Sequence, residues 1–116
     1  MKRIGMGLMV QIAMALALAI PAGANATEAD QDYPLVIKDH QFIPDELSVP
    51  AGKKIKLTID NRDATPEEFE SYALNREKVI AGKSTATIFI GPLKPGRYPF
   101  VGEFNEKTAK GVIVVQ

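Results

Sequence analysis

The side chains able to do chemistry in this sequence are few and mostly acidic. There is no Cys, and His40 is the single His. Carboxylates gather in two short runs, Glu67-Glu68-Phe69-Glu70 and Glu103-Phe104-Asn105-Glu106. Without a thiol the chain has no disulfide, no zinc ribbon, no thiolate nucleophile and no copper–thiolate bond. One imidazole excludes a His-rich metal cage and leaves a Ser–His relay little to work with. No hydrolase triad and no phosphate loop stands out, so the sequence argues against an enzyme more than for one. Carboxylates and one imidazole are hard-to-borderline ligands, suited to Fe, Mn or Cu(II) over Cu(I). Crowded without a cation, carboxylates repel and raise one another's pKa.

The chain that must position these groups is short. Its 116 residues allow one domain. Lys plus Arg equals Asp plus Glu, at 14 each, which excludes the basic surface that nucleic acid requires. The N-terminus reads as a secretory signal peptide over residues 1–26. Lys2 and Arg3 precede an apolar run from Met6 to Ile20, and Ala24-Asn25-Ala26 sets small residues for cleavage after Ala26. The run is shorter than the roughly 20 residues of a membrane span, and no Cys follows it for a lipid anchor. The expected mature form is a periplasmic chain from Thr27 to Gln116, soluble and not anchored. Without Lys2 and Arg3 its balance is −2.

The mature chain reads as all β. Residues 27–34 are a polar, flexible lead-in, and residues 35–116 form the domain. Leu35-Val36-Ile37 and Leu47-Ser48-Val49 are short strands. Ile55-Lys56-Leu57-Thr58-Ile59 alternates strictly, which places Ile55, Leu57 and Ile59 inward. Further strands are expected over Phe69 to Leu74, around Val79-Ile80, and over Thr85 to Ile90, Arg97 to Val101 and Val112 to Val115. Gly91-Pro92-Leu93-Lys94-Pro95-Gly96 is a tight connection. Seven or eight short strands at this spacing make a sandwich or barrel. Strand parity puts Glu68, Glu70 and Tyr72 on one face, and Glu67, Phe69 and Ser71 on the other. In the simplest reading Glu68 and Glu70 are a solvated face, paired with Arg76, Lys78 or Lys83 at little net gain. Phe42, Phe69, Phe89, Tyr98 and Phe100 are expected in the core, and Arg97 as an edge residue in a salt bridge.

The order of Phe42-x-Pro44, Leu47-x-Val49-x-Ala51-Gly52, a strand ending at Asn61, Leu93-x-Pro95-Gly96-x-Tyr98-x-Phe100 and Gly111-Val112-Ile113-Val114-Val115 resembles the cupredoxin family. The resemblance covers Leu35 to Gln116 and implies a Greek-key β-sandwich. The runs Glu67-Glu68-Phe69-Glu70-Ser71, Arg76-Glu77-Lys78-Val79-Ile80 and Gly102-Glu103-Phe104 look most like the EfeO-type branch, cupredoxin-like domains of bacterial periplasmic iron-uptake systems.

That resemblance also says where ligands would stand. The first His of a blue-copper site falls at or next to Glu67, the Cys on Gly102, the second His on Asn105, and the axial Met near Ala109. All four are missing, so a type 1 copper site cannot form. Carboxylates stand in the same segments, and the implied site is Glu67, Glu68, Glu70, Glu103 and Glu106 with His40, holding Cu(II) or Fe(II). Three function classes follow. The first is a metal-binding accessory of ferrous-iron uptake, beside an inner-membrane iron permease or another periplasmic component. The second is a divergent electron carrier or ferroxidase. The third is a metal-free interaction domain that keeps only the fold.

Overall fold

The computed structural model describes residues 31–116. The expected signal peptide, its cleavage after Ala26 and the first part of the lead-in lie outside the described residues. Nine strands follow one another: β1 (Gln31–Lys38), β2 (Gln41–Ile43), β3 (Glu46–Val49), β4 (Ile55–Asn61), β5 (Glu67–Ser71), β6 (Arg76–Ile80), β7 (Ser84–Ile90), β8 (Gly96–Gly102) and β9 (Lys110–Val115). A single 3-10 turn, Glu103–Asn105, interrupts the connection from β8 to β9. No helix among the described residues is long and apolar enough to cross a membrane.

The strands form two mixed sheets packed as a Greek-key sandwich. One sheet has the order β2-β1-β4-β7, the other β3-β9-β8-β5-β6. Alternation decides what each strand buries, because successive side chains point to opposite faces. In β4, Ile55, Leu57 and Ile59 are at most 1% exposed, as expected. Leu35, Ile37, Ile88, Ile90, Ile113 and Val115 complete much of the interior from the flanking strands. Phe42, Phe69 and Phe100 join it as an aromatic group. Phe42 meets both others edge-on, at 6.2 and 4.8 Å between centroids, and Phe69 stacks on Phe100 at 5.0 Å.

Three expectations need correction. Strand β1 begins at Gln31, inside the segment read as lead-in, and runs parallel to β4 from Gln31↔Ile55 onward. Pro34 hid it. Strand β2 covers only Val36 to Lys38, so Pro34 lies where β1 has an open edge and its missing N–H is tolerated. Phe89 is not core. Ile88 and Ile90 face inward, parity turns Phe89 out at 44% exposure, and Lys54 lies 4.6 Å over its ring. Tyr98 is only half-buried, and its hydroxyl donates to the Lys94 carbonyl at 2.8 Å. Arg97 behaves as expected and reaches Glu46 at 3.5 Å.

Candidate functional site

The same alternation that builds the core carries three polar side chains into it. In β4 the fourth inward position is Asn61, and in β5 the inward positions are Glu67, Phe69 and Ser71. Asn61, Glu67 and Ser71 are buried to within 3% of complete. Buried polar groups need partners, and the partners of these three organise one end of the sandwich.

Asn61 closes the loop into β5. Its side-chain amide donates to the carbonyls of Thr65 at 2.9 Å, Ile80 at 3.2 Å and Ala81 at 3.3 Å, and its oxygen accepts the Asp63 N–H at 3.0 Å. Ser71 donates to the Pro99 carbonyl at 2.7 Å and accepts the Leu74 N–H at 3.1 Å.

Glu67 does most. Its Oε1 accepts the N–H of Phe104 at 2.8 Å and that of Glu68 at 2.9 Å, while Oε2 accepts from the Asn105 amide at 2.8 Å. The loop it grips is closed on itself. Gly102 N–H donates to the Ala109 carbonyl at 2.8 Å, and Ala109 N–H to the Asn105 carbonyl at 2.8 Å. Gly102 has to be glycine here. A Cβ on it would stand 2.7 Å from the Glu67 carboxyl carbon, from Glu67 Oε2 and from the Ala109 Cβ. Glu67, Gly102, Asn105 and Ala109 therefore meet around one point. The resemblance puts the four copper ligands at or next to Glu67, on Gly102, on Asn105 and near Ala109. The Glu67 carboxylate fills the space between them, held by donors from the loop.

The other expected ligands go elsewhere. His40 belongs to the β1–β2 turn, where Asp39 and His40 both have positive φ, as a two-residue hairpin requires. Asp63 accepts both their N–H groups, at 2.8 and 2.9 Å, and its Oδ2 lies 3.5 Å from the His40 ring. The donated N–H of His40 is the main reason that the Asp63 carboxyl is held below its ordinary 3.8. His40 is thus a turn residue partnered by Asp63. Glu68 and Glu70 point outward from β5, opposite Val79 and Glu77 of β6. Glu103 joins them from the 3-10 turn. A hydrogen bond with Glu103 pushes Glu70 up to about 7, aided by lost hydration and by the charges of Glu103, Glu77 and Glu68. Glu68 is also raised, by lost hydration first and then by Glu103. Arg76 gives its guanidinium to the carbonyls of Phe89 and Asn75, and the Lys83 ammonium goes to the Arg62 carbonyl. Neither of these cations pairs with the outer carboxylates as the sequence reading allowed. Among the described residues, no three His, Asp or Glu side chains are grouped to hold a metal ion. Sequence reasoning named Glu67, yet it missed that Asn105 and the Phe104 N–H bind it. The signal was present in the parity of β5, which sends Glu67 inward.

A two-sheet Greek-key sandwich whose last loop folds over a buried carboxylate, in a chain with no Cys, defines a cupredoxin-type domain without a type 1 site. The family model for the cupredoxin-like domain matches residues 9–115, and the chain belongs to that family. The protein RP394 of Rickettsia prowazekii (strain Madrid E) is 47% identical over 81 residues, which is 70% of this chain and 65% of that protein's length. The chain thus spans a little under two thirds of that relative. Among solved structures, the metal binding domain of the Streptococcus pneumoniae D39 Cu(I) exporting P-type ATPase CopA superposes with a TM-score of 0.67 at 17% identity, over 76% of this chain and 87% of that one. Auracyanin A, a blue copper protein of Chloroflexus aurantiacus, gives 0.65 at 14% identity, over 75% and 99%. At these identities the likeness is one of fold.

Proposed function

We propose that this protein is an exported, copper-independent accessory of metal-ion uptake, acting beside an inner-membrane iron permease or another periplasmic component rather than carrying electrons. One observation carries the copper-independent half. The carboxylate of Glu67 makes three hydrogen bonds at 2.8 to 2.9 Å, in the segment to which the resemblance assigns the first metal ligand. No thiolate exists in the chain to make a Cu–S bond. The export half rests on Lys2, Arg3, the apolar run and Ala24-Asn25-Ala26. The uptake half rests on the resemblance of the runs around Glu67, Arg76 and Gly102 to the iron-uptake branch.

A second reading is favoured by the crowding of Glu70 against Glu103, Glu77 and Glu68, which pushes its carboxyl up to about 7 and so favours a bound proton. Fe(II) or Cu(II) would replace that proton, with Glu68 and Glu106 turning in to complete the set. Calorimetric titration with Cu(II), and with Fe(II) under anaerobic conditions, separates the two when run alongside a visible spectrum. The copper-independent reading expects no saturable binding and no blue band. Saturable binding that Glu70→Gln and Glu103→Gln abolish would replace it with the carboxylate-site reading. An intense blue band would sink both. Intact mass of the periplasmic protein should show a chain lacking residues 1–26, and recovery of the full chain in the membrane fraction would overturn the placement.

A further inference from the structure

The ladder between β5 and β8 is short. It pairs Phe69 with Gly102 and Glu70 with Val101, and then stops. The next pairs along would bring Ser71 to Phe100 and Tyr72 to Pro99. Proline has no N–H to give a ladder, and Ser71 instead spends its hydroxyl on the Pro99 carbonyl. The two strands part there and leave a groove of about 420 Å³. Its walls are Tyr72 and Ala73 on one side and Pro99 and Val101 on the other, with Glu70, Glu103 and Glu106 along the rim. Tyr72 is 90% exposed, although an aromatic ring of that size normally finds cover.

We infer that this groove docks an extended, basic segment of a partner protein, with a Lys or Arg head between Glu70 and Glu103 and its aliphatic stem along Tyr72. The argument is one of complementarity. The groove offers a strip of apolar and aromatic wall beside carboxylates, and a Lys or Arg side chain is an apolar stem ending in a cation. Tyr72 presents a face to that cation as well. The charges that act most on Glu70 are all carboxylates, those of Glu103, Glu77 and Glu68. An incoming cation would relieve their repulsion. The interruption of the ladder adds room for an extended backbone along the wall. The inference deepens the accessory reading by naming the surface and the chemistry of the partner, and it rests on that reading.

The test is NMR titration of the purified protein with an acetylated, amidated hexapeptide alternating valine and lysine, at pH 8. The same titration with a valine–glutamate hexapeptide is the control. The expected result is saturable shifts at Tyr72, Ala73 and Val101 with the lysine peptide and none with the glutamate peptide. Tyr72→Ala should weaken binding about two- to fivefold, the scale of one exposed cation–π contact. Glu70→Gln should weaken it by a similar factor, the scale of one exposed ion pair. Both side chains are on the outer face, so the two variants should keep the wild-type amide spectrum elsewhere. Shifts confined to another face, equal binding of the glutamate peptide, or variants that bind like wild type would overturn the groove. The two proposals fail separately. A protein that binds the peptide and also turns blue with copper loses the copper-independent reading and keeps the groove. A colourless protein that ignores the peptide loses the groove alone.

Discussion

Glu67 and Glu70 lie three residues apart on one strand, and they meet opposite fates. Glu67 faces inward, is 1% exposed, and takes three donors from the backbone and from Asn105. Glu70 faces outward, with far more water around it, yet it is the one pushed up to about 7. What separates them is the company. Glu67 is ringed by N–H groups, each of which favours a charged acceptor. Glu70 is ringed by Glu103, Glu77 and Glu68, and each of these disfavours its charge. One region is therefore closed and self-satisfied, while the other is open and short of cations. The first explains what holds the last loop in shape. The second points to the face where something from outside would be welcome.

The largest effect should come from breaking the closed region. Glu67→Ala leaves the Phe104 N–H, the Glu68 N–H and the Asn105 amide without their acceptor and opens a void beside Gly102. The expected loss is about 3–5 kcal/mol in urea unfolding, since orphaned buried donors cost roughly 1–3 kcal/mol apiece and relaxation recovers part. Hydrogen exchange at Phe104 should rise with it. Glu67→Gln should be much milder, about 1–2 kcal/mol, because the Asn105 amide can turn over to meet a new donor. An alanine variant as stable as wild type would show that the carboxylate does not hold the loop.

Gly102→Ala probes the same point from the other side. Its methyl would meet the Glu67 carboxyl and the Ala109 methyl at 2.7 Å. Overpacking of this kind costs about 1–3 kcal/mol. Two of the three contacts are with Glu67, so the cost should shrink in a Glu67→Ala background. That non-additivity in a double-mutant cycle is the decisive reading. Simple addition of the two losses would mean that the residues do not share a space.

Much of this arrangement is legible in the sequence. Ile55, Leu57 and Ile59 alternate with polar residues, and nothing local competes with that signal, so the register of β4 was plain. Counting along the family pattern brought Glu67, Gly102, Asn105 and Ala109 into correspondence with one site, and the structure places them together. Parity split β5 correctly between Glu67, Phe69 and Ser71 inside and Glu68 and Glu70 outside. What could not be read was which donors a buried carboxylate would find, because the Phe104 N–H and the Asn105 amide come from 37 and 38 residues away. His40 is expected near the ligand segments because its loop follows the first strand, and it lies in a tight turn at positive φ with Asp63 as its partner. Phe89 is expected in the core, whereas parity in β7 turns it out.

The smallest effect, and the sharpest for the open region, is the pH dependence that Glu70 imposes. Its folded pKa of about 7 lies above the ordinary 4.5. Between those values the folded state holds a proton that the unfolded chain has released. Stability from this group is therefore highest below about pH 4.5 and falls as pH rises through 7. Asp63 acts in the opposite sense but in a different window. Its carboxyl is held below 3.8, chiefly by the N–H of His40, so its contribution is present above that value and is lost only on further acidification. Melting temperatures from pH 5 to pH 8 isolate Glu70 from Asp63. The wild type should soften across this range. Glu70→Gln, which keeps the shape and cannot ionise, should flatten the decline and melt above wild type at pH 8. Glu103→Gln should flatten the decline too, since it removes a charge beside Glu70. His40→Ala should leave the difference between wild type and Glu70→Gln intact. A Glu70→Gln variant that parallels wild type at every pH would mean that the outer carboxylates do not crowd one another in solution. The contrast between the two faces of β5 would then rest on Glu67 alone.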